Sequence, residues 1–191
     1  MFLRKPARSR EPLPITMTGV RMGERVLQIG VHDSALTGML AARPGLSGHA
    51  AIVTLSEAAA DRARHACEHA GVLADVTVTG TEAPRIDGAS FDAAIVHDTD
   101  PAIASLAESE RVALFRECHR ALRVGGRLIV IDSLPRTGLS ALLSRSASQS
   151  EPPPVVSLTG ALEAAGFRPV RLLAEREGYR FIEGLKSEGR P

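Results

Sequence analysis

RVLQIGVHDSALTGML, from Arg25 to Leu40, changes its period halfway along. Val26, Leu27 and Ile29 make a short apolar run that stops at Gly30, and beyond a polar turn Leu36, Met39 and Leu40 take helical spacing. The stretch is therefore a strand, a tight turn and a helix. At the start of an alternating chain this unit is where an open α/β sheet presents backbone N–H groups and a helix N-terminus to a nucleotide-type ligand.

Working outward, apolar runs continue to alternate with helical patterns. Strands are expected at Arg25–Gly30, Ala50–Leu55, Val76–Thr79, Ala93–Val96 and Arg127–Asp132. Between them fall a helix ending near Ala42 at Arg43-Pro44-Gly45, a helix from the N-cap Ser56 to Ala70 closed by Gly71, and a helix over Ser105–Arg123. The strands are apolar throughout, so both faces are covered, as in a parallel sheet flanked by helices. A helix at Ser157–Ala165 and an antiparallel hairpin, Phe167–Glu175 with Tyr179–Leu185 around Arg176-Glu177-Gly178, complete the pattern. Ser133–Val156 is Ser- and Pro-rich and is expected to be a mobile loop, with a short helix near Leu139–Leu143.

The 191 residues suit one domain, Glu24–Lys186, after a flexible basic arm, Met1–Gly23, and before a tail, Ser187–Pro191. Hydrophobic residues make up 44% of the chain and no apolar run is long enough for a membrane span. The arm lacks the apolar core of a secretory signal. A net charge of +1 and 3% aromatic content argue against a nucleic-acid platform, and the cluster Arg4, Lys5, Arg8 and Arg10 is expected to be solvated. Cys67 and Cys118 fit reduced, half-buried thiols of a cytoplasmic protein. His65, His69 and His119 fall on helix surfaces with no metal-ligand spacing to further groups.

FRECHRALRVGGRLIVID, Phe115 to Asp132, together with Phe91-Asp92 before the fourth strand and Ala165-Gly166-Phe167 before the hairpin, resembles the class I S-adenosylmethionine-dependent methyltransferases, in particular their small-molecule, quinone C-methyltransferase-like group. The resemblance implies a doubly wound, Rossmann-like α/β fold with seven strands in the order 3-2-1-4-5-7-6 and the seventh antiparallel. It implies S-adenosylmethionine as cofactor, lying across the carboxyl ends of the first four strands, and an unknown small molecule as methyl acceptor.

In that family an acidic residue and a Gly-x-Gly-x-Gly turn surround the amino-acid end of the cofactor. The matching positions here are Gln28, Gly30, His32 and Ser34, with Val31 inside the turn. The family's ribose-binding acid at the end of the second strand falls on Thr54, next to Leu55, with Glu57 either a substitute or a helix-start charge. Thr81 and Glu82 stand where the adenine side is held. His97 faces the methyl group and substrate, either as a general base oriented by Asp98 or as a solvated strand end, while Asp132 and Ser133 line the cleft. The substrate lid is expected from the arm and the Ser/Pro loop, or from a homodimer mate or partner subunit, or else the site is open. The eroded turn leaves a second expectation, a catalytically inactive methyltransferase fold that serves as a binding or regulatory subunit.

Overall fold

The structure, a computed structural model, describes residues 11–79, 90–134 and 155–188. The basic cluster Arg4–Arg10, Thr81 and Glu82, the segment 135–154 with its expected short helix, and the lid it was to form lie outside the described residues.

Seven strands form one sheet: β1 (Arg25–Ile29), β2 (His49–Thr54), β3 (Asp75–Val78), β4 (Phe91–His97), β5 (Leu122–Ser133), β6 (Val170–Arg176) and β7 (Tyr179–Leu185). Their order is β3-β2-β1-β4-β5-β7-β6, with β7 antiparallel to both neighbours and the first five strands parallel. This is the strand order expected from the sequence. Helices α1 (Leu13–Thr18), α2 (Ser34–Ala42) and α3 (Glu57–Ala70) bring their apolar sides to one face, where Ile15, Leu36 and Leu40 meet Val26, Ile95 and Ile129. On the other face α4 (Pro101–Ala104), α5 (Glu108–Ala121) and α6 (Val155–Ala164) cover Leu27, Ile29, Val96 and Val130. Successive strand residues point to opposite faces, which makes the apolar runs continuous.

Local chemistry sets the boundaries. Asp33 caps α2 by accepting from the Leu36 N–H at 3.1 Å, and Ser56 caps α3 by accepting from the Ala59 N–H at 3.3 Å. Gly71, at φ +68°, ends α3 in the left-handed conformation. The hairpin turns through Glu177 and Gly178, both at positive φ, so its two-residue loop matches the twist of the strands it joins.

Three expectations change. The expected helix Ser105–Arg123 is α5, shorter at both ends, and a separate four-residue α4 precedes it, started by the Asp100 cap and Pro101. Part of the stretch read as a flexible arm is α1, which buries Ile15 and Thr18, with Val20 buried just after it; Arg127 holds its end by donating to the carbonyls of Thr18 and Gly19. Cys67 and Cys118 are free and fully buried rather than half-buried, and burial pushes the Cys118 thiol up to about 12. His65 and His69 are exposed, whereas His119 packs edge-on to Phe167, ring centroids 5.0 Å apart.

Candidate functional site at the carboxyl ends of the strands

Gln28 and His97 end adjacent strands on the face covered by α2, and neither has any solvent exposure. The Gln28 amide donates from Nε2 to the Thr37 carbonyl at 3.2 Å, which leaves its Oε1 to accept from His97 Nε2 at 3.1 Å. That bond puts the imidazole proton on Nε2, so Nδ1 carries a lone pair, buried and without a partner. Burial lowers the His97 pKa to about 4 against the pull of Asp100 and Asp33, with His32 lowering it further, and the ring is neutral at neutral pH.

The turn after β1 is engaged by the chain itself. Gly30 sits at φ +80°, and a Cβ there would lie 3.0 Å from Ile103 Cγ1 and 3.2 Å from Asp100 Oδ2. The same Oδ2 accepts from the Val31 N–H at 2.8 Å, while Asp100 Oδ1 accepts from the Ala102 N–H at 3.0 Å and caps α4. Val31's carbonyl accepts from Arg62 Nη2 at 3.2 Å. His32 is exposed and turned out of the turn, and Ser34, half-buried, opens α2. Thr54 is buried with its hydroxyl donating to the Ser56 carbonyl at 3.2 Å, and Leu55 packs on the apolar cluster around Ile103. Glu57 is an exposed first-turn charge of α3, 3.6 Å from Arg64.

A second polar group lies on the opposite face. Asp98 is bonded to Arg111 of α5, and Arg111 also donates to the Ala104 carbonyl at 3.0 Å. Asp98 therefore does not orient His97: just past the end of β4 it turns to Arg111 of α5, and Gln28 holds the ring instead. Register continues His97↔Ile131 to set Asp98 beside Asp132, whose Oδ2 accepts from Arg180 Nη1 at 3.2 Å. Arg180 donates through Nε to Glu175 at 3.0 Å. Burial pushes Asp132 up to about 6, and the neighbouring Asp98 charge adds to the rise against Arg180 and Arg111. Burial also raises Asp98 despite Arg111, and its Oδ2 has no hydrogen-bond partner. Ser133, beyond Asp132, is exposed.

These residues do not fit S-adenosylmethionine in the family's manner. No carboxylate stands at Gln28 or Thr54, and both backbone groups of Val31 and the hydroxyl of Thr54 already have partners within the chain. Asp100, Ile103, Arg62, Arg111 and Arg180 were missed in the sequence. Only Asp100 carried a local signal, an acidic cap before Pro101.

The sequence signature of the methyltransferase domain family matches residues 26–126, and the chain belongs to that family. Its fold matches the S-adenosylmethionine-dependent methyltransferase SibL in its apo form, with a TM-score of 0.66, 20% identity and coverage of 91% of this chain and 52% of SibL. PigF, solved with SAH, matches with a TM-score of 0.62 and 19% identity over 85% of this chain and 50% of PigF. A methyltransferase from Pyrococcus furiosus matches with a TM-score of 0.64 and 18% identity over 92% of this chain and 81% of its own. The chain spans about half the length of SibL and of PigF. No curated protein sequence matches it. Likeness at this level carries the fold and leaves the specific quinone-directed group unassigned.

Proposed function

We propose that this chain is a methyltransferase-fold binding or regulatory subunit that does not by itself hold S-adenosylmethionine. The observation that carries the reading is the Asp100 carboxylate on the Val31 N–H, with Ile103 against Gly30. A ligand carboxylate seeking that N–H meets a like charge already in place, and one seeking the bare face of Gly30 meets a buried isoleucine. Gln28 and Thr54 supply no negative charge to offset the loss. Its buried free thiols support a cytoplasmic location.

A second reading, a methyltransferase acting on a small molecule, draws on family membership, on PigF carrying SAH on the same fold, and on His97 Nδ1, a buried acceptor with no donor at the end of β4. A neutral imidazole there has a lone pair to offer a proton-bearing group, although a ring that protonates only near pH 4 is a weak base. Isothermal titration and thermal shift with S-adenosylmethionine and S-adenosylhomocysteine separate the two. The first reading expects no heat and no shift at millimolar ligand; a saturable one-to-one heat overturns it in favour of the second.

A further inference from the structure

His65-Ala66-Cys67-Glu68-His69 runs through the last two turns of α3 and takes no part in the site described above. The helix is a firm platform for it. Ser56 caps one end, Gly71 closes the other, and Ala59, Ala60, Ala63, Ala66 and Cys67 bury one side. That burial fixes the rotation of α3, and His65 and His69 fall on the outward side, both exposed. Residues four apart on a helix stand one above the other, about 5–6 Å between Cβ atoms, so the two imidazoles can reach a common point above the surface.

The surroundings favour a cation there. The Glu68 carboxylate stands 3.9 Å from His65 Nδ1. A carboxylate on that side of the ring leaves Nε2 for a metal and raises its basicity, the outer-shell arrangement common to metal-ligating histidines. His69 occupies the last turn of α3, where the helix dipole attracts positive charge. Both arginines of the helix are engaged elsewhere: Arg64 lies 2.8 Å from Asp61 and 3.6 Å from Glu57, and Arg62 donates to the carbonyls of Ala58 and Val31. Because α3 begins at the carboxyl end of β2 and ends ahead of β3, the pair stands at the end of the sheet opposite the candidate site.

We propose that His65 and His69 chelate a borderline divalent ion of the Zn(II), Ni(II) and Cu(II) class on the surface of α3. Two imidazole nitrogens select these ions over Mg(II) and Ca(II), which want oxygen donors. Among the described residues no group of three ligating side chains is placed to hold an ion, so water or a ligand from outside completes the coordination. The site is thus an open one. Nothing in it depends on whether the turn after β1 takes a cofactor.

The test is competition of the full chain with a chromophoric chelator for Zn(II) and for Ni(II), in parallel with thermal unfolding. One ion per chain is expected to bind and to raise the unfolding midpoint, and its affinity to weaken as pH is lowered, because imidazole ligates only in its neutral form. Excess Mg(II) is expected not to displace it. His65→Ala with His69→Ala, both at exposed positions, is expected to stay folded and to weaken binding at least about tenfold. His69→Ala with Ala70→His keeps the number of imidazoles, sets them five residues apart on different sides of the helix, and is expected to lose affinity by a similar factor. Folded protein that takes up neither ion overturns the proposal, as does binding that either double variant leaves intact.

Discussion

The Asp100 carboxylate lies 2.8 Å from the backbone nitrogen of Val31, a residue 69 positions earlier, and caps α4 with its other oxygen. One side chain thus closes the turn after β1 and starts the helix after β4.

Asp100→Ala removes the acceptor of two N–H groups, one of them deeply buried. Stability is expected to fall by about 1–3 kcal/mol, and Asp100→Asn, which keeps one acceptor oxygen, is expected to lose less. Urea unfolding midpoints at constant slope measure both. An alanine variant as stable as the parent would show that another group takes over the Val31 N–H.

Arg111→Met leaves Asp98 buried with neither oxygen paired. Breaking one side of a buried pair costs about 3–5 kcal/mol, whereas replacing both with apolar groups is close to neutral. Arg111→Met alone is expected to unfold far earlier than the double variant Arg111→Met, Asp98→Leu. A double-mutant cycle in denaturant reads the difference.

Two buried groups oppose each other below neutrality. Asp132, raised to about 6, binds its proton more tightly folded than unfolded, so its contribution falls as pH rises from about 4 to about 6. His97, lowered to about 4, binds its proton less tightly folded, so its contribution grows as pH rises from about 4 to about 6.5. Melting temperatures across that window are expected to vary little in the parent. Asp132→Asn is expected to leave the rise due to His97, and His97→Gln the fall due to Asp132; parallel profiles in all three proteins would contradict this.

Gly38 lies where α2 crosses α3, and a Cβ there would stand 2.5 Å from the Ala66 carbonyl oxygen. Alanine gains about 1 kcal/mol of helix propensity over glycine at an interior position. Pushing two packed helices apart costs about 1–3 kcal/mol, so Gly38→Ala is expected to destabilise despite the propensity. Thermal unfolding decides the sign.

The sheet was legible because period and punctuation are local. Val26 to Gly30 changes texture within a few residues, Ser56 and Gly71 bracket α3, and Gly178 marks the turn between the last two apolar runs. The site was legible only in position. Sequence places Gln28, Gly30 and His97 at strand ends, yet what each touches is set by register between strands far apart in the chain. Nothing near Asp98 announces Arg111, and nothing near Asp132 announces Arg180, since cross-element pairing leaves no local spacing. The expected partnership of His97 with Asp98 failed because each is held from a different element, the ring by Gln28 of β1 and the carboxylate by Arg111 of α5, which adjacency in sequence does not reveal.

The span of these bonds has a consequence for synthesis. Gln28 waits for His97 and Val31 for Asp100, each 69 residues on, and Asp132 waits another 48 for Arg180. Contacts so distant form slowly, because loops must close before they are rewarded. A nascent chain that has just emerged as far as Asp132 holds a carboxylate destined for burial and lacks the arginine that will meet it. The polar rim of the sheet is therefore completed only when β7 leaves the ribosome, and a chain arrested before Tyr179 has no native way to shield it.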